Sequence, residues 1–558
     1  MVAGSEGVDG SQRSGGGWTV PPFATAIVVA APILAVVGIA LLPGEAVWYH
    51  LATTVLPAYA LNTLTLLVGV GVGVLAIGTI TAWLVTMCEF PGRRAFEWAL
   101  LLPMAIPAYV VAFVYTGMLE YAGPVQSGLR AWFGWSTARD YWFPDIRTVG
   151  GAIAVMTLVL YPYVYLLARA AFTEQSVGQI EVARTLGRGG LRTFVTVALP
   201  LARPALVAGT TLALLEALND FGTVDYFAVN TFTRGTFNVW LGMNNLAGAA
   251  QIAVALVAVV LALIALERAA RGRRRFRAAH GTYRSLPRYT LSPARQGAAF
   301  VACALPVALG FLVPAATLAE DTVGDLGGAF DRGFVRLALN SLGLALVAAA
   351  LATAVALFLA YAPRVRQTRP LAAALRIAGI GYAMPGAVLA IGVLIPFGWF
   401  DNRLDAALRS LFGVSSGLLL SGTVAALIFA YVVRFLAVAL GSVDASFTKV
   451  PIGIDHAART LGATPRQALV RVGLPLVRPS LLAAALLVFV DVMKELPMTL
   501  ILRPFNFNTL ATRTYEYAGG EQLAQAAPLA LAIVLVGIIP VIMLSRAIAA
   551  ARPGQRRA

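Results

Sequence analysis

The sequence predicts an all-α polytopic membrane protein. Three observations predict this class: 59% of the 558 residues are hydrophobic, only 12% are charged, and long apolar runs recur along the whole chain. Soluble globular domains have about 25% charged residues, so this composition could not cover a water-exposed surface. Mean hydropathy is correspondingly high, at +0.79. Apolar runs of about 20 residues are long enough to cross a bilayer as helices.

Twelve such runs predict about twelve transmembrane helices. A Gly/Ser-rich segment precedes the first run, which lacks a small-residue cleavage pattern and is therefore interpreted as an uncleaved helix rather than a signal peptide. The predicted spans are 23–42, 63–87, 98–119, 149–171, 205–222, 248–266, 297–319, 337–361, 371–399, 413–440, 480–500 and 526–545. An even number of spans places both termini on the same side of the membrane.

Basic residues decide which side that is. Of the 42 Lys+Arg residues, 29 lie in the two tails and the loops after even-numbered spans, and only 10 lie in the other loops. Because basic residues accumulate in cytoplasmic loops, both termini are predicted to be cytoplasmic. The net charge of +16 then needs no nucleic-acid partner. The Arg-rich stretch 268–295 is interpreted as a cytoplasmic linker in contact with lipid head groups.

Catalytic and metal-binding patterns are not found. The two cysteines lie at or inside apolar runs, and the three histidines are too far apart in sequence to suggest a transition-metal site. The only lysines, Lys449 and Lys494, follow no glycine and precede no serine or threonine. The chain therefore lacks the Gly-Lys-Ser/Thr phosphate cradle of ATP-hydrolysing proteins.

A duplicated segment is the strongest internal signal. Residues 181–206 and 456–481 are identical at 13 of 26 positions, at a fixed offset of 275 residues. Weaker matches flank it, at residues 62–64 with 340–342 and 105–107 with 383–385. Because six spans separate the two copies, both face the cytoplasm. The halves are therefore predicted to be parallel repeats, related by a pseudo-twofold axis along the membrane normal.

Each copy predicts two short helices joined at a glycine. In the second copy, a helix begins near Pro451 and Gly462 ends it, and a capping box at 464–467 begins another helix that ends near Leu474-Pro475. The first copy has matching features between Ser176 and Pro200. Since half of the duplicated segment stayed identical while the spans diverged, we interpret residues 176–200 and 451–475 as a first and a second docking segment for a partner rather than as ordinary duplicated loops.

The docking segments resemble the EAA loop of ABC importer permeases, which has Glu-Ala-Ala, three residues, Gly, nine residues and Ile-x-Leu-Pro. The departures are Val182 for the first Ala, Val197 and Val472 for Ile, and His456 for Glu. His456 either makes the two docking surfaces unequal in charge or occupies a position that tolerates both side chains. The resemblance implies a type I importer permease core in each half. It also implies an ATPase-coupling role for Glu181, Ala183, Arg184, Gly187, Leu199, Pro200, His456, Ala458, Arg459, Gly462, Leu474 and Pro475.

Further sequences resemble the ferric iron branch of these permeases and its thiamine-transporting relatives. They are NDFGTVDYF at 219–227, KELPMTL at 494–500, LRPF at 502–505 and NTLA at 508–511. The resemblance implies an inner-membrane iron permease without a cofactor of its own, with ATP-Mg on a separate ABC ATP-binding subunit, in two copies, and a periplasmic substrate-binding protein. Thiamine or another small solute stays open as the cargo. A twelve-helix secondary transporter is the alternative from another class.

Paired carboxylates predict where the cargo passes. Glu216 and Asp220 match Asp491 and Glu495 at the 275-residue offset, and a spacing of four places each pair on one face of a helix. The two interpretations are a carboxylate-lined path suited to a hard cation and a structural network that ties broken helix ends together. The candidate path residues are Glu216, Asp220, Asp225, Asp491, Lys494 and Glu495.

The repeat also sets the predicted domain boundaries. The two permease domains are each preceded by an additional helix and its outer loop. The predicted boundaries are a disordered tail at 1–22, an extra helix and loop at 23–56, a first permease domain at 57–270, a basic linker at 271–295, a second extra helix and loop at 296–335, a second permease domain at 336–548 and a cytoplasmic tail at 549–558.

Overall fold

The structure, a computed structural model, describes residues 18–41, 49, 51–174, 189–271, 288–324 and 332–550. Within them, eleven helices are long and apolar enough to cross a membrane, and a twelfth span is present if one helix pair bent by 89° is included. Apart from two paired two-residue strands, the regular structure in these residues is helical. The predicted all-α polytopic architecture is confirmed.

The first half of the chain contains eleven of the described α-helices and one short strand. Short π-helical turns interrupt or extend several of the long helices. In chain order the elements are α1 (Val20–Ala40), α2 (Leu56–Met87), β1 (Cys88–Glu89), α3 (Arg93–Ala99), α4 (Ala108–Leu119), α5 (Pro124–Phe133), α6 (Val149–Glu174), α7 (Gly190–Thr193), α8 (Leu199–Asn219), α9 (Phe221–Tyr226), α10 (Phe232–Phe237) and α11 (Leu246–Arg271).

The second half repeats this order with small changes. It begins at the second strand, which pairs in parallel with the first. The elements are β2 (Tyr289–Thr290), α12 (Pro293–Val307), α13 (Val313–Gly324), α14 (Arg332–Val365), α15 (Arg369–Ala378), α16 (Gly386–Phe412), α17 (Val424–Phe447), α18 (Gly453–Thr460), α19 (Pro465–Ala468), α20 (Leu474–Met493), α21 (Pro497–Leu502), α22 (Leu510–Gly519) and α23 (Leu523–Ala550).

The third and ninth predicted spans are broken at the same point. Pro107 and Pro385 each precede the first residue of the helix that follows the break, α4 and α16. The residue before each proline has extended backbone, as proline demands of its predecessor. The predicted ninth span 371–399 is therefore wrong in its bounds: α15 is a separate helix, and the spanning helix of this pair is α16.

One hydrogen bond recurs in both halves and supports the repeat. The Asn62 side-chain amide donates to the Asn230 carbonyl at 3.0 Å, and the Asn340 amide donates to the Asn508 carbonyl at 3.0 Å. In both pairs the partners are 168 residues apart. Each bond ties the start of a long span to the loop after a broken helix, so the weak sequence match at 62–64 and 340–342 marks a shared structural contact.

We expect Asn340→Ala to lower the stability of the folded protein in detergent by about 1 kcal/mol, because one partly buried hydrogen bond is lost. The matching Asn62→Ala change should cost a similar amount. Thermal unfolding of the purified protein measures both effects. Asn402→Ala, at an exposed position of α16, is the control and should unfold like the unmodified protein. Equal midpoints for all four proteins would contradict a role of the two amides.

The described residues form two compact units, and each unit combines helices from both halves of the sequence. One unit comprises the described residues within 1–44, 245–254 and 336–509, and the other comprises those within 45–244, 255–335 and 510–558. In the first unit, α1 packs on α15 and α16; in the second, α12 contacts α3 and α13 contacts α4. The additional helix of each half thus packs on the core of the other half.

Close backbone packing supports the placement of α1 on the core of the other half in the first unit. A Cβ atom at Gly392, in α16, would overlap the carbonyl oxygen of Pro32 in α1. The glycine is therefore needed for the two helices to approach this closely. The predicted domain boundaries follow the repeat along the chain rather than the packing, and they stay a prediction.

Candidate functional site

The second docking segment has the predicted two-helix form. Gly462, with φ of +86°, follows the end of α18. Its amide donates to the Arg459 carbonyl at 3.0 Å, and the amide of Ala463 donates to the Ala458 carbonyl at 3.1 Å. This pair of bonds is the Schellman motif, which requires a left-handed residue at the glycine position. The prediction that Gly462 ends the first helix of the segment is confirmed.

The second helix of the segment begins with the predicted capping box. The Thr464 hydroxyl accepts from the Gln467 amide at 3.3 Å, and the Gln467 side chain accepts from the Thr464 amide at 2.9 Å. Two backbone donors that a helix start leaves unpaired are thereby satisfied. The turn between the two helices is thus fixed from both sides.

The predicted end of this second helix is wrong. The helix does not stop at Leu474-Pro475; it continues through the π-turn Leu469–Gly473 into α20, and the span runs over Pro465–Met493. The extra residue of a π-turn relieves the clash of a proline ring with the preceding helical turn. The docking segment therefore leads without interruption into a membrane span.

Only part of the first docking segment lies within the described residues. Its π-turn, Phe194–Ala198, precedes Leu199 and Pro200 at the start of α8 and matches the π-turn of the second segment at the 275-residue offset. Four predicted coupling residues lie outside the described residues: Glu181, Ala183, Arg184 and Gly187. The coupling role stays a prediction for all twelve residues.

The tip of the second docking segment is open and apolar. Leu461 is 88% exposed beside Gly462. His456 is also exposed, whereas its neighbour Asp455 is buried. Exposed apolar side chains rimmed by polar ones are typical of protein–protein contact surfaces. The segment therefore offers a partner an exposed surface that includes His456 and Leu461.

The paired carboxylates do not share one helix face, contrary to the prediction. In the first half α8 ends at Asn219, before Asp220; in the second half α20 ends at Met493, before Glu495. Each second carboxylate instead holds the start of the short helix that follows. The spacing of four residues was interpreted as continuous helix, but a side chain that accepts backbone amides competes with helix continuation.

Asp220 and Glu495 bind the backbone in the same way. Asp220 accepts from the Thr223 amide and hydroxyl, both at 2.8 Å. Glu495 accepts from the amides of Met498 at 3.0 Å and Thr499 at 3.1 Å, and from the Thr499 hydroxyl at 2.8 Å. Helix starts carry unpaired amides and positive dipole ends, so a carboxylate there is stabilising. These contacts match the structural interpretation of the pair.

The helix break at Asp220, between α8 and α9, and the helix break at Glu495, between α20 and α21, differ in charge. Glu495 lies 3.4 Å from the Arg434 guanidinium, and both side chains are buried. A Cβ atom at Gly386 would overlap that guanidinium, so this ion pair packs directly against the break before α16. In the first half, Val159 matches Arg434 at the 275-residue offset. Ala108 matches Gly386 at the 278-residue offset of the flanking matches 105–107 and 383–385. Asp220 thus has no arginine at the position that neutralises Glu495.

The remaining candidate path residues have partners. Asp225 accepts a 2.8 Å hydrogen bond from Arg234 Nε and a short one from the Tyr515 hydroxyl. Asp491 lies 3.4 Å from Lys494 Nζ, with about a quarter of each side chain exposed. Glu216 also has a partner. Among the described residues, no group of three or more His, Cys, Asp or Glu side chains could hold a metal ion.

The hypothesis that Glu216 and Asp220 line the translocation path can be tested directly. We expect Glu216→Gln with Asp220→Asn to abolish solute uptake while copurification with the ATPase subunit is preserved. Asparagine caps helices about as well as aspartate, so this change removes charge without removing the cap at α9. Uptake of the labelled solute by cells that carry the variant measures the effect. Normal uptake would leave the two carboxylates with a structural role only.

Sequence reasoning missed three residues that organise these sites: Arg364, Arg434 and Asp455. Arg434 carried a usable signal, because an arginine inside an apolar span is costly and requires a partner. Its partner is 61 residues away, and no local pattern indicates that distance. Arg364 and Asp455 lie 91 residues apart and resemble ordinary loop charges in the sequence.

The first half of the chain matches a known family of transport proteins. Residues 74–275 match the family described as binding-protein-dependent transport system inner membrane component. The match includes the first docking segment and the first helix break. The family is one of transport components, and its members work with separate ATP-binding and substrate-binding proteins.

Individual relatives extend the similarity to the whole chain. The chain is 27% identical to the Fe(3+)-transport system permease protein FbpB 2 of Haemophilus influenzae over 497 residues, which are 87% of this chain and 89% of that protein. It is 26% identical to the probable ABC transporter permease protein y4fN of Sinorhizobium fredii, over 84% of this chain and 83% of the relative.

A shorter relative matches about a third of the chain. The molybdenum transport system permease protein ModB of Escherichia coli K12 is 29% identical over 198 residues, which are 34% of this chain and 82% of ModB. The chain therefore has about the length of two such permeases joined end to end, in agreement with its internal repeat. Together with the duplicated docking segment, these similarities show that residues 74–275 form a domain of the family of binding-protein-dependent transport system inner membrane components, and that the whole chain resembles ABC transporter permeases.

Proposed function

We propose that this chain is the permease of an ATP-driven importer of ferric iron. It supplies the translocation path from both of its halves and is coupled to a separate ATPase through its two docking segments. The observation that carries the choice of iron is the similarity to a ferric iron permease over nearly the full length of both proteins. The relative named for molybdenum aligns over only 34% of this chain.

The charge of the helix breaks supports a cationic cargo. The Asp220 carboxylate lies at the helix break between α8 and α9, where no arginine matches the one that neutralises Glu495. Glu216 lies one helical turn earlier, in α8. Ferric iron is a hard cation that prefers oxygen ligands such as carboxylates. Arg234 lies beside Asp225 and Lys494 lies beside Asp491, whereas Asp220 has Val159 at the position that matches Arg434. That break is the point in the proposed path that favours a cation most.

In this proposal the permease works with separate partner proteins and has a fixed orientation in the membrane. Two docking segments imply two copies of the ATP-binding subunit, each with its own ATP-Mg, and the permease itself carries no cofactor. A substrate-binding protein delivers iron from the outer side. Both termini are cytoplasmic, in agreement with the distribution of basic residues, and the Arg-rich linker 268–295 lies against lipid head groups.

An oxyanion such as molybdate is the second candidate cargo, because of the similarity to ModB, and thiamine is the third. Uptake assays in a strain that lacks its own importers separate them. We expect accumulation of labelled ferric iron that depends on the permease, and no accumulation of labelled molybdate or thiamine. Accumulation of either of those solutes instead of iron would replace the proposed cargo and leave the permease role intact.

A further inference from the structure

A buried ion pair fastens the second docking segment to a membrane span. Arg364, in the last turn of α14, lies 2.6 Å from Asp455 in the first turn of α18. Both side chains are about nine-tenths buried or more, at 11% and 5% exposure. The Tyr361 hydroxyl donates to the other Asp455 oxygen at 3.0 Å. The carboxylate is thus held by two residues that lie one turn apart on the same helix.

The same arginine also binds the backbone that enters the segment. Its guanidinium donates to the carbonyl of Phe447 at 2.8 Å, of Val450 at 3.0 Å and of Pro451 at 3.3 Å. Phe447 is the last residue of α17. Arg364 therefore connects three elements: the end of α14, the end of α17 and the first docking helix, α18. A lysine could not make this set of contacts, since it lacks the planar fork of donors.

Aromatic packing closes the cluster. Tyr361 lies 5.7 Å from the Phe447 ring and 5.5 Å from the Trp18 ring, measured between centroids. A Cβ atom at Gly473, in the π-turn of the docking segment, would lie 3.5 Å from Phe447 and 3.6 Å from Tyr361. The cluster thus touches both ends of the segment, at Asp455 and at Gly473.

The first half keeps the aromatic pair but not the charges. The rings of Trp83 and Phe172 pack edge to face, with their centroids 5.6 Å apart. Trp83 matches Tyr361 at the 278-residue offset of the flanking matches, and Phe172 matches Phe447 at the 275-residue offset. The positions that match Arg364 and Asp455 hold Thr86 and Ile180. The aromatic contact is therefore common to both repeats, whereas the ion pair belongs to the second docking segment. This difference argues against a general requirement of the fold for the ion pair.

We propose that Arg364 and Asp455 form a positioning clamp that passes movement of the second docking segment to α14. The inference rests on the docking role proposed above. A partner that pushes on the exposed tip at Leu461 moves α18, and the clamp makes α14 and the end of α17 move with it. Without the clamp, α18 can shift without moving α14 and the end of α17, so movement reaches the membrane only through the continuous helix into α20 and part of the work of ATP hydrolysis is lost. A buried, multiply hydrogen-bonded pair has the fixed geometry that such a link needs.

The test uses the full complex of permease, ATPase and loaded binding protein, reconstituted in vesicles. Asp455→Asn removes the charge but keeps a hydrogen-bond acceptor of the same shape, and Arg364→Lys keeps the charge but loses the fork. Tyr361→Phe is a milder variant that removes one hydroxyl. Arg366→Met, at an exposed position two residues beyond the clamp, is the control. ATP hydrolysis, labelled iron uptake and subunit copurification are measured for each protein.

We expect Asp455→Asn to lower uptake about tenfold, a coupling effect of ordinary size, while ATP hydrolysis and copurification stay at the unmodified level. The ratio of ATP hydrolysed to iron transported therefore rises about tenfold. Arg364→Lys and Tyr361→Phe should raise it less, and Arg366→Met should not raise it. The Arg364→Lys, Asp455→Asn double variant should be no less coupled than Asp455→Asn alone, because both act through one contact.

An unchanged ratio overturns the clamp. That result includes the case in which uptake and hydrolysis fall together, since a purely structural role removes working complexes without uncoupling those that remain. If Asp455→Asn does not assemble, the ratio in Tyr361→Phe decides between the two outcomes. Failure of the proposed function is recognised separately, because the unmodified complex would then show no ATP-dependent uptake.

Discussion

Replacement of Glu495 by leucine is expected to prevent stable accumulation of the folded protein. Leucine leaves the buried Arg434 without its counter-charge and removes the acceptor of the Met498 and Thr499 amides. Breaking one side of a buried ion pair costs about 3–5 kcal/mol, and unsatisfied buried amides add to it. Size-exclusion chromatography of a fluorescent fusion in detergent should show little monodisperse protein.

Two variants separate charge from capping at this break. Glu495→Gln keeps an oxygen for the amides, so any loss of stability comes from the unpaired arginine. Arg434→Met combined with Glu495→Gln should recover most of that loss, because neutral replacement of a whole buried pair is often tolerated. Asp220→Asn in the first half should lower the stability of the folded protein only slightly, because Val159 occupies the position that matches Arg434 and no buried arginine loses its counter-charge there. Equal behaviour of Glu495→Leu and the unmodified protein would show that the ion pair does not stabilise the break.

The second large effect is expected at the docking turn. Gly462→Val should reduce uptake about tenfold while membrane insertion is unchanged, since a left-handed backbone costs a residue with a side chain about 1–2 kcal/mol and a β-branched one more. The strain falls on the Schellman turn that orients α18 against α19. Adding Gly187→Val, the matching change in the first segment, should lower uptake further. Labelled iron uptake, normalised to the permease content of the membrane, is the measurement.

Gly453 supplies the matched control for that turn. A Cβ atom at either Gly453 or Gly462 would meet no other atom within 4 Å, and only Gly462 has positive φ. Gly453→Ala and Gly462→Ala therefore differ in backbone strain and not in crowding. Uptake should fall in the second variant only. Normal uptake in the Gly187→Val, Gly462→Val double variant would refute the docking hypothesis.

Features with local causes were predictable from the sequence. Apolar runs specify spans because the bilayer has a fixed thickness, and the glycine turn and the capping box at 462–467 follow from backbone chemistry within a few residues. The repeat predicted two equivalent halves, and the matching Asn62 and Asn340 hydrogen bonds agree with it. The end of the docking helix was wrong because Pro475 was interpreted as a stop, whereas a π-turn lets the helix pass it.

Features with distant causes were not predictable. Asp220 and Glu495 cap the next helix because the spans end just before them, and a spacing of four residues is compatible with either outcome. The Arg434–Glu495 and Arg364–Asp455 pairs join residues 61 and 91 positions apart. The exchange of the additional helices is also a matter of packing: α1 is first in sequence, yet it packs on α15 and α16. A single sequence contains no signal that pairs such distant positions.

ATP-dependent uptake by the reconstituted complex tests the central claim most directly. The permease is placed in vesicles with its ATPase subunit, with the iron-loaded binding protein on one side and ATP on the side of the docking segments. We predict uptake of labelled ferric iron that requires all three proteins and ATP, and that persists when ionophores remove every ion gradient. Uptake by the permease alone, driven by an imposed proton or sodium gradient without ATP, would contradict the account and identify a secondary transporter.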